Sequence, residues 1–87
     1  MRVDGVYFIT FRSVTYAQRG ERILSRAGVR CGIQRTQRWM AEKGRGYSLR
    51  LRTERPEKAV VLLRQEELPI GKVYWQRENA GLEELVL

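Results

Sequence analysis

The 87-residue sequence predicts an α+β domain in the order β-α-β-β-α-β, the ferredoxin-like arrangement of a four-stranded antiparallel sheet with two helices on one face. Three observations carry that reading. Four segments have strand-like patterning, two segments with apolar residues at helical spacing fall between them in the required order, and no linker, repeat or low-complexity stretch divides residues 1–87 into more than one domain. A composition of 43% hydrophobic and 31% charged residues is that of a globular chain, since disorder needs fewer apolar groups.

Gly5-Val-Tyr-Phe-Ile-Thr-Phe11 is rich in aromatic and β-branched residues and apolar on both faces, so it reads as a central strand. Ser13 is an N-cap, and Tyr16, Ala17, Gly20, Ile23, Leu24 and Ala27 repeat at helical spacing, which predicts a helix over Val14–Ala27 closed by Gly28. Val29–Thr36 alternates with Val29, Cys31 and Ile33 inward and Arg30 and Gln34 outward. Gln37–Gly46, with Trp39, Met40 and a Gly44-Arg45-Gly46 turn, is an irregular connection. Tyr47–Arg52 alternates cleanly, with Tyr47, Leu49 and Leu51 inward and Ser48, Arg50 and Arg52 outward. Pro56 opens a second helix whose apolar face is Ala59, Val60, Leu63 and Leu68. Lys72–Arg77 is the fourth strand, and Asn79-Ala-Gly81 turns the chain into a short apolar tail, Leu82–Leu87.

One cysteine and no histidine exclude an internal disulfide, a Cys/His zinc site and any histidine-based triad or general base. Glu42 and Glu54, the acids of the basic middle third, lie in connections or at element ends, and Glu66-Glu67 and Glu83-Glu84 read as solvent-facing. The sequence thus predicts a non-enzymatic protein without metal or cofactor. The absence of a signal peptide and of an apolar run of about 18 residues predicts a cytoplasmic chain that does not engage membranes.

The charge is informative because it is uneven. Of the net +7, residues 30–55 carry eight basic groups against Glu42 and Glu54, whereas residues 56–87 are net acidic. Fourteen of the 17 basic residues are Arg, a preference that suits planar, bidentate contact with phosphate or carboxylate. Arg38, Arg45, Arg50 and Arg52 fall around one turn, where Gly44 and Gly46 either gather backbone N–H groups into an anion nest or supply only the positive φ of the turn. These six residues are the candidate anion site. Small anions, acidic proteins and nucleic acid are the candidate partners, the last through phosphate contacts that weaken with salt.

A second surface follows from the first strand, whose large side chains lie on both faces while helices cover only one. Either Tyr7, Ile9 and Phe11 or Val6 and Phe8 must lie on the open face, joined by Tyr74 or Trp75, with Trp39 and Met40 able to close over them from the connection. Tyr7, Phe11, Trp39, Met40 and Trp75 are the candidate partner interface, buried either by a homodimer or by the Leu82–Leu87 tail folding back.

Two resemblances bear on function. Arg45-Gly-Tyr-Ser-Leu-Arg-Leu-Arg52 resembles the third-strand signature of the RNA-recognition motif, but in that register Ser48, Arg50 and Arg52 would fill core positions. Burying two unpaired guanidinium groups costs far more than exposing Leu49 and Leu51, so the strand faces the other way and base stacking on Tyr47 is not expected.

The second covers Phe8 to Leu51. Phe11, Ser13, Ala17, Glu21, Leu24, Ala27-Gly28-Val29, Thr36-Gln37-Arg38, Gly44-Arg45-Gly46 and Leu49 follow one another as in the Se/S carrier protein-like family, a group of short bacterial proteins of unsettled function, and the chain is similar to it. The family's pattern has a cysteine just before Gly46 and a proline between Thr36 and Arg38, and the resemblance implies a carrier role resting on that thiol. This chain has Arg45 and Gln37 there, and an arginine cannot form a persulfide. The remaining thiol, Cys31, sits on the apolar face of its strand and reads as an inert core residue.

Overall fold

A computed structural model describes residues 5–36, 46–77 and 81–85. The elements are β1 (Gly5–Phe11), α1 (Val14–Arg26), β2 (Arg30–Arg35), β3 (Tyr47–Thr53), α2 (Pro56–Gln65), β4 (Val73–Arg77) and β5 (Gly81–Leu85). The sheet is antiparallel in the order β2-β3-β1-β4-β5.

The strand count corrects one expectation. The sheet has five strands, and Gly81–Leu85 is a strand hydrogen-bonded to β4, with Leu85 opposite Val73, where the sequence reads as a short apolar tail, Leu82–Leu87. The adjacent Glu83 and Glu84 hide the strand's alternation, and the unpaired edge of β4 supplies the pairing that local propensity does not.

β1 is central, flanked by β3 and β4, and apolar on both faces as that place requires. Ile9 and Phe11 face the helices and join Leu49, Leu51, Val73, Ala17, Leu24, Ala59, Val60 and Leu63 in one buried cluster. Both helices therefore cover the same face. Val6, Phe8 and Tyr74 form a small separate cluster on the opposite face.

α1 begins at Ser13, whose Oγ accepts from the Tyr16 N–H at 3.3 Å, satisfying one of the helix's unpaired donors. Ala17, Gly20 and Leu24 form its buried edge. A Cβ at Gly20 would lie 3.0 Å from both Leu49 Cδ1 and Phe11 Cζ, so the missing side chain is what lets the helix approach the sheet. The helix closes in a Schellman motif: the Gly28 N–H donates to Ser25 O and the Val29 N–H to Leu24 O, with Gly28 at φ 81°.

α2 starts at Pro56, whose missing N–H costs nothing in the first turn. It ends in the same motif, with Glu67 at φ 57° and the Leu68 N–H donating to Leu63 O at 3.1 Å. Leu68 is buried, as its apolar spacing suggests, but it lies beyond the helix and is anchored by the cap. β2 and β5 are the sheet edges; exposed Arg30 and Arg35 on β2 discourage edge-to-edge pairing.

Among the described residues, no helix is long and apolar enough to cross a membrane, and no group of three His, Cys, Asp or Glu side chains could hold a metal ion.

Candidate anion-binding face

Strand register builds the site. Tyr47, Leu49 and Leu51 pack against the helix-side core, which forces Arg50 and Arg52 to the opposite face. On the neighbouring strand, half-buried Cys31 and Ile33 take the core side, so Arg30, Gly32 and Gln34 share the face with the arginines. Pairing sets Arg30 directly opposite Arg52 and Gly32 directly opposite Arg50.

The result is a shallow basin of about 420 Å³ whose lining includes Arg30, Gly32, Gln34, Arg50 and Arg52. Gly32 is part of its lining, and a Cβ there would meet nothing within 4 Å. All three guanidinium groups are exposed, and none has an ion pair among the described residues. Like charges directly opposite on a sheet are destabilising, and an anion between Arg30 and Arg52 would relieve that repulsion. Acidic Glu83 and Glu84 lie on β5, at the other edge of the sheet, where Glu84 Oε1 is 3.8 Å from Lys72 Nζ.

The six expected anion ligands separate. Arg50 and Arg52 stand on the cationic face as their alternation required. Gly46 has φ 116°, and a Cβ on it would lie 2.7 Å from Phe11 O, so its glycine serves the backbone. Arg38, Gly44 and Arg45 lie outside the described residues. The cationic face also brings Arg30 and Gly32, which the sequence reading does not count among the candidate ligands, beside Arg50 and Arg52. The outward alternation of Arg30 was visible, but its place opposite Arg52 depends on a pairing no local pattern encodes.

The expected partner interface changes more. Phe11 is 3% exposed beneath the helices, where it cannot meet a partner. Tyr7 also packs against the helix-side cluster, and its ring stacks on that of Trp75 with centroids 6.5 Å apart. Of the two alternatives for β1, the structure puts Val6 and Phe8 on the helix-free face with Tyr74. Phe8 and Tyr74 are themselves buried, at 5% and 8% exposure. Trp39 and Met40 lie outside the described residues. The large hydrophobics exposed among the described residues are instead Val14 and Val61, both on helices.

Cys31 is half-buried, and its Sγ lies 3.7 Å from the Glu21 carbonyl oxygen, to which the thiol donates weakly. Burial pushes the thiol pKa above its ordinary value, a hydrogen bond with Ser25 opposes the shift, and the Glu21 charge adds to it. The folded chain therefore holds this proton more tightly than the unfolded chain. Stability from the site is full below the ordinary thiol pKa of about 8.5 and is lost as pH rises through that range toward the folded value. Alkylation by iodoacetamide at neutral pH should be slow in the folded chain and accelerate on unfolding in urea, because the thiolate is the nucleophile. Equal rates in the two states would contradict the protected-thiol account.

No family model, curated protein or solved structure matches the chain.

Proposed function

We propose that the protein is a non-enzymatic binding module that takes an anionic ligand on the helix-free face of β2 and β3, held by Arg30, Arg50 and Arg52. The observation that supports this reading most is that three exposed arginines, without ion pairs among the described residues, line one basin of the helix-free face together with Gly32. Arginines present paired donors to phosphate or carboxylate, and glycine removes the side chain that would keep the ligand from the sheet.

The fold reading that accompanies it is ferredoxin-like: β2-β3-β1-β4 forms the four-stranded sheet, both helices cover one face, and β5 is appended to β4. The similarity to the Se/S carrier-like family then lies in motif order. Arg45 stands where that family's thiol would be, and Cys31 is poorly suited to replace it because its proton is held by burial. Reversible anion binding accords with these residues better than covalent sulfur or selenium carriage. A lone thiol kept protonated also suits a reducing, cytoplasmic setting. Homodimer formation through the helix-free face has less support, because Phe8 and Tyr74 are already buried there.

Titration of the ¹⁵N-labelled protein with inorganic phosphate tests the reading. Resonances of Gly32, Arg50 and Arg52 should move, with a dissociation constant of about 1 mM, equivalent to roughly −4 kcal/mol shared by three exposed charge contacts. The Arg50→Gln/Arg52→Gln variant should fold normally and lose the shifts. Spectra unchanged at ten times that phosphate concentration would remove the proposal.

A further inference from the structure

We infer that the ligand of this face is the sugar-phosphate backbone of a single-stranded nucleic acid, running from the β2–β3 basin past Arg52 into a second basin beside the start of α2. The inference rests on the anion-binding reading above and names its ligand class. A second concavity of about 370 Å³ lies where the ends of α1 and β3 meet the first turns of α2. Its rim carries Arg52, Arg55 and Lys58 against the single acid Glu54, and its walls include Ala27, Val29 and Leu62.

Arg52 lines both concavities, so the two are neighbours across one side chain. Arg50 and Arg52 are two residues apart on β3, about 6.7 Å along the strand. Arg30 flanks Arg52 across the ladder, and Arg55 and Lys58 continue the series on the far side. Five cations thus follow a bent line from the helix-free face, around the end of the sheet, to α2. None of the five has an ion pair among the described residues.

A lone phosphate would engage one end of this line. A linear polyanion engages all of it, and a bent path suits a flexible single strand better than a stiff duplex. The apolar walls of the second basin distinguish a nucleotide chain from bare polyphosphate, since they offer contact to sugar and base while the rim holds phosphate. Phe8 and Tyr74 are buried rather than presented, so recognition comes from phosphate contacts with little base stacking.

Fluorescence polarisation with labelled oligothymidylates of increasing length tests the inference. Each phosphate contact to a single strand contributes about −0.7 to the slope of log affinity against log salt, so five contacts predict a slope of about −3.5. Affinity should then fall about 100-fold between about 50 and about 200 mM salt. The Arg55→Gln/Lys58→Gln variant should lower affinity about tenfold and reduce the slope by about 1.4, while leaving the phosphate-induced shifts at Gly32 intact. Unchanged affinity and slope in that variant would overturn the track while the basin reading stands. Loss of the Gly32 shifts with phosphate, together with indifference of oligonucleotide binding to Arg50→Gln, would overturn both. Polyphosphate, poly-glutamate or a duplex of equal charge competing as well as the single strand would overturn the choice of ligand.

Discussion

Gly46→Ala is expected to destabilise the protein by about 2–4 kcal/mol, a large share of the roughly 5–15 kcal/mol that holds a small domain together. The backbone at Gly46 has φ 116°, a conformation that L residues adopt only under strain of about 1–3 kcal/mol. The added methyl would also sit 2.7 Å from the Phe11 carbonyl oxygen, inside van der Waals contact. Neither partner can easily withdraw. Phe11 ends the central strand opposite Tyr47, and the Gly46 carbonyl accepts the Thr36 N–H at 3.1 Å. Gly28→Ala is the matched comparison. Its φ is 81°, but the new Cβ would meet nothing within 4 Å, so only the backbone cost of about 1 kcal/mol applies. Urea midpoints of the two variants measure the difference. Equal losses would show that the backbone relaxes and that the collision with Phe11 carries no cost.

Leu49→Ala is expected to cost about 2–5 kcal/mol, the range for truncating a fully buried leucine. Leu49 has no exposed surface, sits between Ile9 and Ile33 in the sheet, and meets α1 at Gly20. Gly20 makes the packing testable in the opposite direction. Gly20→Ala gains about 1 kcal/mol of helix propensity but places a methyl 3.0 Å from Leu49 Cδ1 and Phe11 Cζ, so alone it should be close to neutral. In the Leu49→Ala background that methyl enters the vacated space, and the crowding from Leu49 is relieved. The double variant should therefore be more stable than the sum of the single effects by roughly 0.5–3 kcal/mol, read from a thermal or urea double-mutant cycle. Strict additivity would mean that the helix and sheet do not meet as closely as these contacts require.

Much of the local structure was legible because its causes are local. Ser13 and Gly28 bracket α1 through hydrogen bonds within a few residues, and Pro56 marks the start of α2 through its own ring. Alternation on β3 fixed the direction of Arg50 and Arg52, because reversing it would bury two guanidinium groups in exchange for two leucines. The fifth strand was not legible. Gly81–Leu85 has two adjacent glutamates, and its strand character comes from the edge of β4. Leu68 was legible as buried but not as part of a cap, since apolar spacing does not reveal that Glu67 turns into the left-handed region.

The candidate site divides in the same way. Sequence alone determined that the middle third is cationic and arginine-rich, that Arg50 and Arg52 point away from the core, and that an internal disulfide, a Cys/His zinc site and a histidine-based triad cannot be built. Tertiary structure decided which face of β1 the helices cover, and so moved Tyr7, Phe11 and Trp75 away from the open face. It also placed Arg30 opposite Arg52 and Gly32 opposite Arg50, and brought Arg55 and Lys58 to the other side of Arg52. Side-chain periodicity is a property of one segment and can be read there. Register and the choice of covered face depend on which distant segments pair and pack, and only the folded chain brings those together.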